Sequence, residues 1–363
     1  MDYTDLTTKI LLALQYVEEL AYKKKSALLN AVDNVPSEII KDRRLAIGIL
    51  GEEKAKEFFD NLDNVDSFID EMKRQDIHWI SYLDKENYPE LLANIPDPPI
   101  VLFVKGNVDI IKSDCIAVVG SRRATRYGEK VAEDFSREFA RAGLTVVSGF
   151  ARGIDGIAHK ACVASESPTV AVFACGLDVV YPAEHKGLMD GILKNGGAIV
   201  SEYPLGTKPL QYHFPERNRI ISGLSKGVFL AQAAKRSGSL ITMRIANDDQ
   251  GRSIFVVPGN IYAAENEGGN ELLRECPHAL VITPEDVLDG LGVKRVSAKK
   301  QVVEISLVES QILEALRDDE KHFEELLEIT ELGVSELTST LFNMTMNGLI
   351  QETGGNYYSL SGM

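Results

Sequence analysis

Short, unbroken apolar runs alternate with amphipathic stretches through the middle of the chain. The runs are CIAVVG (115–120), TVVSG (145–149), TVAVFA (169–174), AIVSE (198–202), VFLAQA (228–233) and SIFVVPG (253–259). Helical spacing fills the gaps, with one helix predicted over about 127–142 and another from about 153. Strands without polar alternation are covered on both faces, and intervening helices impose parallel crossovers. The pattern predicts a Rossmann-like, doubly wound α/β domain with a mostly parallel sheet. Its ligand is expected at the carboxyl ends of the strands.

The flanks read differently. Residues 1 to about 75 show helical periodicity, with apolar positions at Leu11, Leu12, Leu14, Val17 and Leu20 and again at Ile39, Ile40, Ala46 and Ile47. Pro36-Ser37-Glu38 is a helix-start signal. The stretch 84–107 is a proline-rich connector ending in one strand. Beyond the sheet, 293–301 (VKRVSAKKQ) is polar and basic, as a linker is. Helical patterns follow at 308–317 and 322–329, then a turn at Gly333, a helix from about 335, and LIQET and NYYSL separated by Gly-Gly. Three helices and a hairpin are the layout of a winged helix. The expected domains are a helical one at 1–78, a Rossmann-like one at 79–292, a linker at 293–301 and a winged-helix-like one at 302–363.

A net charge of −15 over 363 residues argues at first against a polyanion partner. Its distribution changes that. Residues 302–363 hold 12 Asp/Glu and 2 Lys/Arg, whereas 122–152 hold 7 basic and 4 acidic residues and 208–252 hold 8 and 3. Binding follows the local field, and the centre is basic. The acidic tail, with Glu324, Glu325, Glu328 and Glu331, reads as a protein-contact or regulatory module or as a solvated helix face. No apolar run approaches the ~20 residues that span a bilayer. The start, acidic at position 2 and without a cleavage site, does not read as a signal peptide. Cys115, Cys162, Cys175 and Cys276 form no C-x-x-C pair, and buried thiols in a reducing cytoplasm fit.

Several strands end in small or glycine-rich turns with cations nearby. Gly120-Ser121-Arg122-Arg123 joins a strand to a helix. Gly120 permits close approach, Ser121 offers a hydroxyl, and the helix N-terminus presents free amides to which Arg122 adds a forked phosphate contact. Ser148-Gly149 opens a loop containing Arg152 and Asp155, and Asp155 is read as a structural residue that fixes a neighbouring loop. Phe214-Pro215-Glu216-Arg217-Asn218-Arg219 sets an aromatic beside two cations, as single-strand binding requires. The alternative is a core Phe214 and an Arg217 paired with an acid. Ser237-Gly238-Ser239 is a fourth such turn.

In this order and register, VVGSRRATRYG, SGFARGIDGIAH, GLDVVYP, SEYPLG, FPERNRIISGLS, SGSLIT and VVPG closely resemble the DNA-processing protein A (DprA, or Smf) family over about residues 80–285. The resemblance implies a homodimer that binds single-stranded DNA in a basic pocket and helps load the RecA recombinase during natural transformation. Carried over by position, Gly120, Ser121, Arg122, Ser148, Gly149, Arg152, Phe214, Arg217, Asn218, Arg219, Ser237, Gly238 and Ser239 would face the DNA. Two positions depart from the pattern. Gln232 stands where the family commonly has Glu, and Gln211-Tyr212-His213 stands where some members offer a lysine, for which Lys208 substitutes.

Other chemistries fit less well. A nucleoside-monophosphate-cleaving enzyme of the related lysine-decarboxylase-like group needs P-G-G-x-G-T-x-x-E, and Val257-Pro258-Gly259-Asn260 is not continued that way. The G-x-G-x-x-G of NAD enzymes and the G-K-[ST] of P-loop NTPases are missing. His159 and His185 have no evident paired nucleophile, and no cluster has metal-ligand spacing. The sequence therefore reads as a non-catalytic binding protein without cofactor, metal or membrane association.

Overall fold

A computed structural model describes residues 5–293, 306–317, 319–346 and 348–360. The chain divides into two compact units, Met1–Lys294 and Arg295–Met363. Apart from Val293, the expected linker lies outside the described residues.

In the first unit the strands are β1 (Ile77–Ser81), β2 (Val101–Gly106), β3 (Cys115–Val119), β4 (Thr145–Ser148), β5 (Thr169–Val172), β6 (Ala198–Ser201), β7 (Gly227–Leu230) and β8 (Ser253–Val256). They form one sheet in the order β1-β2-β6-β5-β4-β3-β7-β8. The six strands from β3 onward pair in parallel, while β2 runs antiparallel to both β6 and β1. The sequence pattern does not predict β1. It is a five-residue edge strand whose Trp79 is buried and whose register is set by β2. The chain steps outward from β3 through β4, β5 and β6, then returns to add β7 and β8 on the other side. β3 and β7 therefore flank the topological switch point, where doubly wound sheets bind ligands.

The unbroken apolar runs are explained by burial on both faces. Ala117, Val119, Val147, Val172, Val228 and Leu230 point to one face, under Ile220, Leu224, Met243 and Leu272. Ile116, Val118, Val146 and Phe229 point to the other, under Phe135 and Phe139 of helix Arg126–Arg141 and Ala158 of helix Ile154–Ala164. Towards β2, β5 and β6 that second face is covered by the N-terminal helices, whose Leu11, Leu14, Phe58 and Met72 share a cluster with Phe103, Phe173 and Ile199. Cys115, Cys162 and Cys175 are buried free thiols. Among the described residues no helix is long and apolar enough to cross a membrane.

The second unit has helices Leu307–Ala315, Phe323–Thr330 and Val334–Met346 and strands β9 (Lys321–His322), β10 (Ile350–Gly354) and β11 (Tyr357–Leu360), ordered β10-β11-β9. Ser306 and Glu309 start its first helix with a reciprocal capping box. Ile312, Leu326, Leu337, Leu341 and Ile350 form its core, and Glu324, Glu325, Glu328 and Glu331 are exposed.

Candidate nucleic-acid interface

The turn after β3 and the loop after β4 are built as one piece. A Cβ on Gly120 would lie 2.6 Å from Ile154 Cγ1 and 2.9 Å from Gln232 O. Gly153, at φ +73°, leaves room for the Ser121 carbonyl, which a Cβ would approach to 2.3 Å. Ile154 N donates to Ser121 O (3.1 Å), and Ser121 N donates to Gln232 O (2.8 Å). Ser121 Oγ accepts from Arg123 N (3.1 Å) and so closes the turn on itself. Thr125 then caps helix Arg126–Arg141 by accepting from Gly128 N.

Gln232 secures this turn from below. It is buried, donates to Thr125 Oγ1 and Asn266 Oδ1 (2.8 Å each), and accepts from Thr125 N (2.9 Å). A carboxylate at this position would have no proton for the first two bonds, so the amide of Gln232 suits the way the turn is held. A cleft of about 620 Å³ opens beside it, lined by Thr125, Tyr127, Pro258, Asn260 and Asn266.

The loop after β4 turns its polar groups inward. Ser148 is buried and its Oγ donates to Val118 O (2.6 Å). Gly149 has no space for a side chain, since a Cβ would meet Arg217 Nη2 at 2.6 Å and Asp155 Oδ2 at 2.7 Å. Phe150 follows at φ +57°, its ring packed on Phe173 (4.9 Å) and His185 (5.1 Å). Asp155 is buried, and its Oδ2 accepts from Ala151 N (3.3 Å). Burial raises the Asp155 pKa, and the Arg217 charge opposes that rise. Below lies His159, its Nδ1 2.8 Å from Thr169 Oγ1. Burial pushes its pKa down to about 3.

The FPERNR segment lies on helix His213–Gly223, and its residues part ways. Phe214 is half-buried, and the exposed Arg122 sets its guanidinium 5.0 Å from the ring centroid. Tyr181, on the loop after β5, lies 5.7 Å from Phe214. Arg217 is buried, and its Nη1 donates to Gly149 O (2.6 Å) and Val172 O. Burial lowers its pKa to about 10. Arg219 is buried against Glu202 (2.7 and 2.9 Å) and Asp97 (2.9 Å). Gln15 of the N-terminal helices bonds Glu202 O and accepts from Lys25. Ser148, Arg217 and Arg219 thus differ from the expected outward orientation, because backbone carbonyls and carboxylates hold them from inside, although the buried Arg217 Nε makes no hydrogen bond.

The remaining expected residues are more open, apart from Ser239, which is buried. Arg152 is exposed and paired with Glu184. Lys208 is exposed and Asn218 half-buried. Ser237 Oγ and Ser239 Oγ share a hydrogen bond (2.8 Å), with Gly238 exposed between them. Arg123, Arg126 and Arg236 are further exposed cations at the β3 and β7 ends, with no ion pair within 4 Å among the described residues, and the resemblance does not carry them to the site. Arg123 and Arg126 lie inside the VVGSRRATRYG motif, and Arg236 directly precedes SGSLIT. Among the described residues no group of His, Cys, Asp or Glu is arranged to hold a metal ion.

A doubly wound sheet whose switch-point rim combines close-packed glycine turns, free guanidinium groups and a half-open ring defines an α/β protein of the kind that receives ligands at strand carboxyl ends. Residues 79–292 match the family model of DNA recombination-mediator protein A, and the chain belongs to that family. It is 37% identical over 292 residues to Protein Smf of Escherichia coli K12, covering 78% of each chain. It is 44% identical over 201 residues to DNA processing protein DprA of Streptococcus pneumoniae, covering 55% of this chain and 70% of that one. The X-ray structure of DprA from S. pneumoniae is similar with a TM-score of 0.67 and 37% identity, covering 78% of this chain and 97% of that one. DNA processing protein A from Helicobacter pylori, described for its single-stranded DNA binding mode, is similar with a TM-score of 0.52 and 28% identity over 59% of this chain and 95% of that one.

Proposed function

We propose that this chain binds single-stranded DNA along the rim of its sheet and serves DNA processing in natural transformation. The observation that carries the reading is the Arg122 guanidinium over the Phe214 ring, a cation and a π-face side by side at the switch point. Single-strand binding needs both, one for phosphate and one for a base. The single-strand binding of the H. pylori relative supports it. Gly120, Ser121, Arg122, Arg152, Lys208, Phe214 and the Ser237-Gly238-Ser239 turn are the proposed contacts. Gly149, Asp155, Arg217 and Arg219 are the proposed supports. On this reading the protein is a cytoplasmic, non-catalytic homodimer that protects incoming DNA and helps load RecA, as its family resemblance implies.

The test is a titration of single- and double-stranded DNA of equal length across a salt series, with nucleotide hydrolysis assayed alongside. Preference for the single strand, weakening as salt rises, is expected. Equal binding of both forms sinks the reading.

A further inference from the structure

The rim sets two aromatic rings side by side, and the reading above uses one of them. Tyr181 keeps 42% of its surface exposed although its ring centroid is only 5.7 Å from that of Phe214. Phe214 in turn sits under Arg122. At the other end the Tyr181 side chain lies near Arg152, whose Nε is held by Glu184. Arg122, Phe214, Tyr181 and Arg152 therefore form a contiguous series of cation, ring, ring and cation. It bridges the turn after β3 to the loop after β4.

We infer that Tyr181 is a second base-stacking platform, so that the site takes two successive bases with Arg152 at the far phosphate. The inference rests on the single-strand reading of the same rim. A ring left open beside another ring offers a face that any base can use. The Arg152–Glu184 pair does not block this, because both side chains are more than half exposed (58% and 51%). Exposed pairs of this kind are weak, and a phosphate displaces the carboxylate at little cost.

The experiment uses the full chain and a labelled oligothymidylate, with a fully abasic strand of the same length as the second ligand. Tyr181→Leu is expected to weaken oligothymidylate binding about 5- to 150-fold, while Tyr181→Phe keeps the ring and stays near wild type. The loss of affinity on removing the bases is expected to be smaller in Tyr181→Leu than in wild type, because a missing ring has no base to lose. That difference is insensitive to a general loss of stability. An equal abasic penalty in the two proteins overturns the inference. If Phe214→Ala weakens binding while Tyr181→Leu does not, the second platform falls and the single-strand reading stands. If wild type shows no preference for single strands, both fall together.

Discussion

The turn at 120–126 and helix His213–Gly223 each carry more than one arginine, and their cations have opposite fates. Arg122, Arg123 and Arg126 are exposed and form no ion pair within 4 Å among the described residues, although the Arg122 charge reaches the buried Asp155 carboxylate. Arg217 and Arg219 are buried, the first held through Nη1 by Gly149 O and Val172 O while its Nε makes no hydrogen bond, the second held by Glu202 and Asp97. One motif spends its charge on the surface, the other on holding loops and connector in place. Positive residues in a binding motif are thus of two kinds, and only the partners each one finds tell them apart.

The sharpest way to break this comparison is Arg217→Ala. It strands Asp155 and two carbonyls in the interior and is expected to cost about 3–5 kcal/mol of stability, read by denaturant unfolding. A variant that stays fully stable but loses DNA affinity would make Arg217 a contact instead. Phe214→Ala tests the open side. It is expected to lose roughly 1–3 kcal/mol of single-strand affinity with an unchanged thermal midpoint, and the reverse pattern would put the ring in the core.

How dry the supporting layer is can be measured through His159. Its pKa falls from 6.5 to about 3 on folding, so between those values the unfolded chain binds a proton that the folded one does not. Its contribution is complete above pH 6.5 and declines as pH falls, by up to about 1.4 kcal/mol per pH unit. His159→Gln is expected to flatten the acid side of the stability–pH curve, and an unchanged slope would mean that water reaches the ring. The smallest expected effect is that of Arg122→Ala. It should reduce the slope of log affinity against log salt by about 0.7, one phosphate contact on a single strand, without moving stability. An unchanged slope would remove Arg122 from the rim.

The parallel core was legible because strands buried on both faces have no polar alternation. Their ends were less so. TVAVFA outruns β5, which stops at Val172, because Phe173 and Ala174 stay buried after the ladder ends. β1 escaped because a five-residue edge strand gains its stability from β2 and leaves little pattern of its own. At the site, Arg122 and Phe214 were both visible in their motifs. The fates of Arg217 and Arg219 were not, since the groups that claim them come from elsewhere in the chain, with Asp97 122 positions from Arg219 and Gly149 68 from Arg217. A motif shows which charges are present, and only tertiary structure shows which are already spent.

The close approach of Gly120 and Gly153 has a thermodynamic corollary. Two loops that share backbone hydrogen bonds and leave no side-chain gap between them cannot sample positions independently. A flexible strand arriving at either one meets a backbone that is already fixed. The ordering entropy of association then falls on the ligand and on the exposed side chains, not on the loops.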